Sequence, residues 1–455
     1  MPAAFPTITE LAGRLRRREI SVGELVDDAL QRATDENLRL NAFITITEEQ
    51  ARARALELDA LLAAGTDLGP LHGIPIAHKD CICTAGIRTT GGSKILADYI
   101  PKRSAKVVMD LEAAGAVMIG KTGLHEFTYG ISGVNPHFGP VHNPWDLTRV
   151  SGGSSSGSGA AVGAGIVPFA TGTDTGGSIR IPASFCGCVG LKPTYGRQKG
   201  NTVGRLVMPL GKSQDHLGPM ARTVRDCEIA HCIMTGIAIP ECSIADDAPL
   251  KGLRIGMPTA YFWQFLDPEV ERACLRAIGM TAELGAEIHE VTLPRMEEVM
   301  HVARIILLSE AAWELHRRST NQADFGADVW ALIQQGYKVE KPALRDAFEA
   351  RRLLKKQLNN IWNEVDCLIT PTTPTTAFRI DQTEMLFGEP PTLTDVRAVT
   401  TRLTRPFNAL GWPALSLPCG FTEAKLPIGL QLIAADGRED TLFRVGEALE
   451  RGLAL

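Results

Sequence analysis

The spacing of apolar residues near the start of the chain predicts amphipathic helices. Ser21-Val22-Gly23-Glu24 has the residue types of a capping box, in which the serine and the glutamate each satisfy a free backbone N–H. Leu25, Ala29 and Leu30 fall on one face of the helix that would follow. A second helical run covers residues 47–64, which are rich in alanine, leucine, glutamate and arginine. We expect both helices to pack onto a larger body and to carry no chemistry.

From residue 69 onward, short apolar segments alternate with glycine, serine and proline. Residues 74–77 and 116–119 are predicted to be buried strands, with residues 107–114 as the helix between them. This alternation is typical of an α/β sheet with helices on its faces. The later pattern predicts a strand at 253–256, an amphipathic helix at 348–361, a strand at 367–370 and two strands within 414–433. We expect one compact domain with an inserted, mostly helical region.

Composition narrows the class of protein. The 455 residues are 44% hydrophobic and 22% charged, which is typical of a soluble globular protein. A net charge of −5 without a clustered basic surface argues against direct nucleic-acid binding. We find no secretory signal and no apolar run long enough to span a membrane, and therefore expect a cytoplasmic protein whose ten cysteines are free thiols. The C-x-C spacing at Cys81 and Cys186 differs from that of common zinc sites, so we expect no metal.

Candidate chemistry lies in two glycine-rich segments that carry serines, residues 151–159 and 173–180. Glycine lets backbone N–H groups approach a substrate closely. Such N–H groups can stabilise the oxyanion that forms when a nucleophile attacks an amide carbonyl. Gly176 and Gly177 stand directly before Ser178, which makes Ser178 a candidate nucleophile beside an oxyanion pocket.

Other interpretations of these segments fare less well. No G-K-[ST] follows at the spacing of a phosphate-binding loop. Residues 153–157 match the G-x-S-x-G elbow with Ser155 as nucleophile, but that fold needs a histidine late in the chain. The histidines after the motif all lie before the last third: His216, His231, His289, His301 and His316. Lys79, at the end of the strand at 74–77, is the remaining candidate base, since Ser–Lys variants of the triad exist and a desolvated lysine loses its proton easily. Taken alone, Lys79 would form an ordinary ion pair, for instance with Asp80.

Taken together, these segments resemble the amidase signature family. The similarity is close over residues 69–220 and looser over 371–429. It rests on these pieces: Gly73-Ile74-Pro75 with Lys79-Asp80, Gly152-Gly153-Ser154-Ser155, residues 172–180, Gly190-Leu191-Lys192-Pro193-Thr194, residues 368–371 and residues 426–432. The resemblance implies one α/β domain over residues 1–455, with a mixed central β-sheet covered by helices on both faces. Within it we expect N-terminal helices (1–66), the signature core (67–235), a helical insert (240–365) and C-terminal strands with a helix (366–455).

The resemblance also implies a Ser–Ser–Lys triad that works without metal or cofactor. Ser178 matches the family's nucleophile, Lys79 its base, and Ser154 the bridging serine, whose preceding peptide bond is usually cis. The implied oxyanion hole consists of the backbone N–H groups of Thr175, Gly176, Gly177 and Ser178. Asp174 and Arg180 match a pair that braces the loop. The implied acyl-side substrate-binding segment is Thr128, Tyr129, Gly130, Ile131 and Ser132.

Two functions fit the resemblance, and they differ in partner. The first is a free-standing amidase for a small, aryl or urea-like amide, and its possible assemblies are a homodimer or a complex with a small accessory subunit. The alternative is the glutaminase subunit of a tRNA-dependent amidotransferase, in which an aspartate recognises glutamine seven residues before an asparagine. That asparagine matches Asn408, and the aspartate position is Thr401. This departure favours the free-standing enzyme. A non-catalytic relative is disfavoured because all three triad residues are present.

Overall fold

A computed structural model describes residues 6–197, 206–241 and 248–454. The α-helices among these residues are α1 (Ile8–Arg16), α2 (Val22–Leu40), α3 (Glu48–Ala63), α4 (Lys106–Ala113), α5 (Ser156–Gly163), α6 (Arg180–Cys186), α7 (Val224–Thr235), α8 (Pro268–Glu283), α9 (Met296–His316), α10 (Ala327–Tyr337), α11 (Lys341–Leu358), α12 (Val396–Thr400), α13 (Arg405–Leu410) and α14 (Glu439–Leu453). The capping box predicted at Ser21 is present, with its side chain accepting a hydrogen bond from the Glu24 N–H.

The strands of the described chain are β1 (Phe43–Ile46), β2 (Pro75–Lys79), β3 (Val117–Thr122), β4 (Phe169–Asp174), β5 (Val189–Lys192), β6 (His216–Ala221), β7 (Arg254–Pro258), β8 (Glu287–Val291), β9 (Cys367–Pro371), β10 (Glu384–Phe387), β11 (Thr392–Asp395), β12 (Ala414–Phe421) and β13 (Pro427–Ile433). β10 and β11 form a separate antiparallel hairpin. The other eleven form one sheet in the order β1-β3-β2-β4-β6-β5-β12-β13-β9-β7-β8.

The central sheet is mixed, which confirms the predicted α/β fold class. β2 pairs in parallel with both β3 and β4, and β7 pairs in parallel with β8 and β9. The strands between these two groups pair antiparallel. The region predicted as a helical insert therefore also contributes two strands to one edge of the sheet. The pattern had indicated only the first of them, β7.

The parallel pairing of β2 with β4 creates the setting of the candidate site. His78 is in register with Thr171, so the carboxyl ends of both strands reach the same edge of the sheet. Lys79 ends β2, and Asp174 ends β4. The loop after β4 carries Ser178, and α5 begins after the loop that carries Ser154. The two glycine-rich segments, far apart along the chain, thus meet beside Lys79.

The glycine–serine run at residues 156–163 is a buried helix, not a loop. Its small residues allow close packing: a Cβ on Gly159 would lie 2.9 Å from the Cβ of Pro182 in α6. Nine cysteines have free, buried thiols, as predicted, and Cys242 lies outside the described residues. Across the described ranges, no helix is long and apolar enough to cross a membrane.

Candidate active site

Lys79 is fully buried at the end of β2 and is surrounded by hydroxyl groups. Its Nζ lies 2.8 Å from Ser154 Oγ, 3.0 Å from Ser155 Oγ and 2.8 Å from Thr173 Oγ1. An ammonium group has three hydrogens to donate, and these three oxygens match them. Loss of one proton would leave a lone pair that one of the hydroxyls can donate to. The arrangement therefore suits either protonation state.

The charge of Lys79 has no direct counter-ion. Asp80, the partner that an ordinary ion pair would use, instead faces Lys121, with Nζ and Oδ1 3.4 Å apart, and accepts hydrogen bonds from Thr90. In the described part of the chain no carboxylate forms an ion pair with Lys79. Burial lowers the pKa of Lys79 to about 8, although more distant acidic groups raise it. A substantial fraction of this lysine is therefore neutral near physiological pH.

Ser154 and Ser178 lie on neighbouring loops joined through Ser155. The Gly153–Ser154 peptide bond is cis, as the resemblance implied. The Ser155 N–H donates to the carbonyl of Ser178 at 3.1 Å. Ser178 retains 7% exposure, while Ser154 is fully buried. Ser178 can thus meet a substrate from outside, whereas Ser154 lies between it and Lys79.

Ser155 has the surroundings of a structural residue. It is fully buried, donates to the carbonyl of Thr173 at 3.2 Å and accepts from the Thr173 N–H at 3.3 Å. Its hydroxyl is therefore fixed against β4 and has no open approach. This geometry argues against Ser155 as the nucleophile of a G-x-S-x-G elbow, since such a serine must project from its turn toward the substrate.

Asp174 and Arg180 form a buried bidentate pair beneath the loop that carries Ser178. Arg180 Nη2 lies 3.0 Å from Asp174 Oδ1, and Nε lies 3.0 Å from Oδ2. Burial alone would raise the pKa of Asp174, but the Arg180 guanidinium and its hydrogen bonds hold that pKa well below its usual range. Arg180 also donates to Asn408 Oδ1 at 2.6 Å and to Gln431 Oε1 at 2.6 Å. The pair therefore ties the loop to α13 and β13.

The backbone N–H groups of the predicted oxyanion hole are not equivalent. The Gly177 N–H already donates to Asp174 Oδ1 at 2.7 Å, so it is engaged in the brace and we correct its assignment. Gly177 has φ of 127°, a conformation that favours glycine. Among the described residues, no hydrogen bond uses the N–H of Thr175, Gly176 or Ser178. These three remain as donors for an oxyanion.

Thr175 is fixed from below by an acidic side chain. Its hydroxyl donates to Asp215 Oδ1 at 2.6 Å, and Asp215 also accepts from the N–H groups of Leu210 and Gly211. Burial raises the pKa of Asp215, while these hydrogen bonds oppose the rise. Asp215 therefore holds the start of the glycine turn in position.

The segment predicted to bind substrate lies against the Gly153–Ser154 peptide. A Cβ on Gly153 would lie 2.9 Å from the carbonyl carbon of Ile131 and 3.1 Å from the Ser132 nitrogen. Gly130 covers the His125 ring, where a Cβ would lie 2.2 Å from Nε2. Thr128 has φ of 63°, a strained conformation for a β-branched residue and of the kind found at binding sites. The Tyr129 hydroxyl is buried and has no hydrogen-bond partner among the described residues.

Several residues that shape the site were not predicted from the sequence: Thr173, Asp215, Asn408, Gln431 and His125. Thr173 lies inside the glycine-rich segment, where its strand position next to a candidate base was the available signal. The others approach from distant parts of the chain, and sequence spacing gives no signal for them. In the described ranges we find no cluster of side chains suited to a metal ion.

Comparison with known proteins gives the family. An amidase family model matches residues 24–443. One component of the glutamyl-tRNA(Gln) amidotransferase of Geobacillus thermodenitrificans, its A polypeptide, is 39% identical over 481 residues, covering 98% of this chain and 96% of that protein. A crystal structure of an amidase has a TM-score of 0.90 and 34% identity, covering 98% of this chain and 99% of that chain.

A third similar structure is that of a vestigial protein complex that bears on the evolutionary origins of an s-triazine catabolic enzyme. It has a TM-score of 0.90 and 33% identity, and the match covers 98% of both chains. Together these matches define the class of protein as a hydrolase that acts on C–N bonds. The chain belongs to the amidase signature family, which confirms the resemblance found in its sequence.

Proposed function

We propose that the chain hydrolyses a carboxylic amide through an acyl-enzyme on Ser178. The observation that carries this proposal is the contact of Lys79 Nζ with Ser154 Oγ at 2.8 Å, made by a fully buried lysine without a carboxylate partner among the described residues. Such a lysine is an effective general base because it gives up its proton near neutral pH. Cofactors and metals have no part in the proposed reaction.

The proposed mechanism has two halves. Neutral Lys79 takes a proton from Ser154, which takes one from Ser178 as its Oγ attacks the amide carbonyl carbon. The N–H groups of Thr175, Gly176 and Ser178 stabilise the oxyanion. The proton then passes to the departing nitrogen, the C–N bond breaks, and ammonia or an amine leaves. Water attacks the ester on Ser178, loses its proton to the same relay, and releases the acid.

The substrate is proposed to be a small, aryl or urea-like amide, and residues 128–132 are proposed to line its acyl side. We favour a free-standing enzyme, whether monomeric, homodimeric or joined to a small accessory protein. The 39% identity to a component of an amidotransferase supports the glutaminase alternative. Against it, Thr401 is buried and donates its hydroxyl to the Arg397 carbonyl at 2.9 Å, so it offers no carboxylate for the ammonium group of glutamine.

Ammonia release by the purified chain alone tests the proposal. The panel contains aliphatic, aryl and urea-like amides together with glutamine, and Ser178→Ala is the matched variant. We expect release from a non-glutamine amide and its loss in Ser178→Ala. Release from glutamine alone would favour the amidotransferase alternative. Activity that survives in Ser178→Ala would refute the assignment of the nucleophile.

A further inference from the structure

Arg405 is a buried cation beside the proposed oxyanion hole. It is the first residue of α13 and is 9% exposed. A Cβ on Gly176 would lie 3.1 Å from Arg405 Nε and 3.8 Å from its Nη2, so the guanidinium flanks the glycine whose N–H faces the reacting carbonyl. Nothing in the mechanism above uses this side chain.

The guanidinium of Arg405 lacks a partner. Its Nε is buried without a hydrogen bond, and across the described ranges neither a carboxylate nor a carbonyl oxygen accepts from the side chain. Arg180, the other buried arginine nearby, shows the contrast, since five of its side-chain hydrogen bonds go to four residues. A buried guanidinium without an acceptor is costly to the fold. Its retention at the site points to an acceptor that arrives with the substrate.

The surroundings of Arg405 are positively charged. Burial lowers its pKa to about 10, and Arg397 and Arg304 lower it further, so it remains a cation at neutral pH. Arg397 is 3.5 Å from Asp328, whose Oδ2 is also 2.8 Å from His125 Nε2. That carboxylate is therefore shared by two other groups. The unpartnered Tyr129 hydroxyl faces the same arginines, which lower its otherwise raised pKa.

The geometry points to a carboxylate on the substrate, bound by Arg405 together with the Tyr129 hydroxyl. The substrate class is then the monoamide of a short dicarboxylic acid, whose amide is cleaved by Ser178 while its carboxylate is held by Arg405. This inference rests on the proposed function and adds the charge of the substrate to it. Arg405 becomes a specificity-determining residue, since it touches the substrate but not the reacting atoms.

The location of Arg405 limits the length of that substrate. The oxyanion lies about 3 Å from the Gly176 nitrogen, and a guanidinium–carboxylate hydrogen bond is about 2.8 Å long. Because Arg405 flanks the same glycine, only a few bonds separate the carboxylate from the scissile carbonyl. Malonamate, succinamate and glutaramate span this range and serve as probes.

The same charges disfavour an α-ammonium group on the substrate. Glutamine is glutaramate with an added α-ammonium group, so the two form a matched pair. With Arg304, Arg397 and Arg405 near the site and Thr401 in place of a carboxylate, we expect glutaramate to be the better substrate of the two. A preference for glutamine would contradict the inference.

The first test compares kcat/KM for each monoamide with that for the neutral amide of the same chain length, in the wild type, Arg405→Gln, Arg405→Lys and Arg345→Gln. Arg345 is exposed and serves as the control. We expect the wild type to prefer the carboxylated amide, and this ratio to fall at least about 30-fold in Arg405→Gln, partly recover in Arg405→Lys and stay unchanged in Arg345→Gln. An unchanged ratio in Arg405→Gln, or no preference in the wild type, would overturn the inference.

A second measurement separates this inference from the proposed function. Succinate binding is measured by calorimetry in the wild type, Arg405→Gln and Arg405→Lys. If neutral amides are hydrolysed and succinate does not bind, the amidase proposal stands and the anion site is refuted. If no amide is hydrolysed but succinate binds at least about tenfold more tightly to the wild type than to Arg405→Gln, the anion site stands and the proposed function fails. Should Arg405→Gln not fold, Arg405→Lys and the wild-type preference for carboxylated amides still decide the matter.

Discussion

The side-chain nitrogen of Lys79 lies 2.8 Å from the hydroxyl oxygen of Ser154, and two further hydroxyls complete its surroundings. Hydroxyl groups stabilise an ammonium less than a carboxylate would, and burial disfavours the charge. The pKa of Lys79 is consequently lowered to about 8. The brace under the same loop shows the opposite choice, because there Asp174 is paired with Arg180 and stays ionised.

This pKa predicts how activity depends on pH. Only neutral Lys79 can accept a proton, so kcat/KM should rise with pH through about 8 and then level off. The measurement is a pH–rate profile from about pH 6 to about pH 10 with a neutral amide. Lys79→Arg keeps the charge permanently and should be inactive throughout. A profile that is flat across pH 8 would contradict the role of Lys79 as base.

The same shift predicts a change in stability with pH. The pKa of Lys79 in the folded state is about 8, below its unfolded value of about 10.4, so between these values the unfolded chain binds more protons. The free energy of unfolding should therefore gain from Lys79 as pH rises through this window. Urea denaturation of the wild type and of Lys79→Met at several pH values measures the difference. A difference between the two proteins that is independent of pH would argue against the lowered pKa.

The two adjacent serines should differ sharply in effect. Ser154→Ala removes the bridge to Lys79 and should lower kcat by at least about 10³-fold. Ser155→Ala removes a hydroxyl that is fixed against β4, and its effect should stay within about tenfold, because Ser154 and Thr173 still contact Lys79. Steady-state kinetics on one neutral amide compares them. The reverse order would revive Ser155 as nucleophile.

Much of the fold could be predicted because its elements carry strong local patterns. β2 and β9 are continuous apolar runs, and α2 begins with a complete capping box. β8 was missed because its sequence, Glu-Ile-His-Glu-Val, lies at the sheet edge and is largely exposed. α5 was missed because glycine and serine are poor helix formers. Tertiary packing against α6 overrides that preference.

The candidate site divides in the same way. Lys79, Ser154 and Ser178 lie in short motifs whose residues are close in sequence, and those motifs were readable. Asn408 and Gln431 reach Arg180 across 228 and 251 positions, and no local pattern encodes such contacts. Arg405 was likewise invisible, since the missing partner of an arginine is a property of its surroundings in the fold.

The Asp174–Arg180 pair should support both stability and activity. Arg180→Ala leaves a fully buried carboxylate without its counter-ion, which should cost about 3–5 kcal/mol in the free energy of unfolding. Chemical denaturation measures this cost, and kcat should fall because the brace holds the loop of Ser178. Arg345→Ala breaks an exposed ion pair and should cost less than about 1 kcal/mol. Equal losses in the two variants would show that the buried pair is not a brace.

Gly177 should not tolerate a side chain. With φ of 127°, an alanine there would be strained, and its Cβ would lie 2.3 Å from Thr404 Oγ1 and 2.7 Å from Ile181 Cδ1. We expect Gly177→Ala to lower the free energy of unfolding by about 2 kcal/mol or more and to displace Ser178, with a fall in kcat of at least about 100-fold.

Gly279 provides the matched control for that substitution. It lies in α8, an added Cβ would meet nothing within 4 Å, and its φ is not positive. Gly279→Ala should therefore stabilise the protein by about 0.5–1 kcal/mol and leave kcat unchanged. If Gly177→Ala also kept full activity, the loop could shift without moving Ser178, and the fixed geometry assigned to the Asp174–Gly177 hydrogen bond would be wrong. If only Gly177→Ala lost activity, the position of Ser178 would depend on this one backbone conformation.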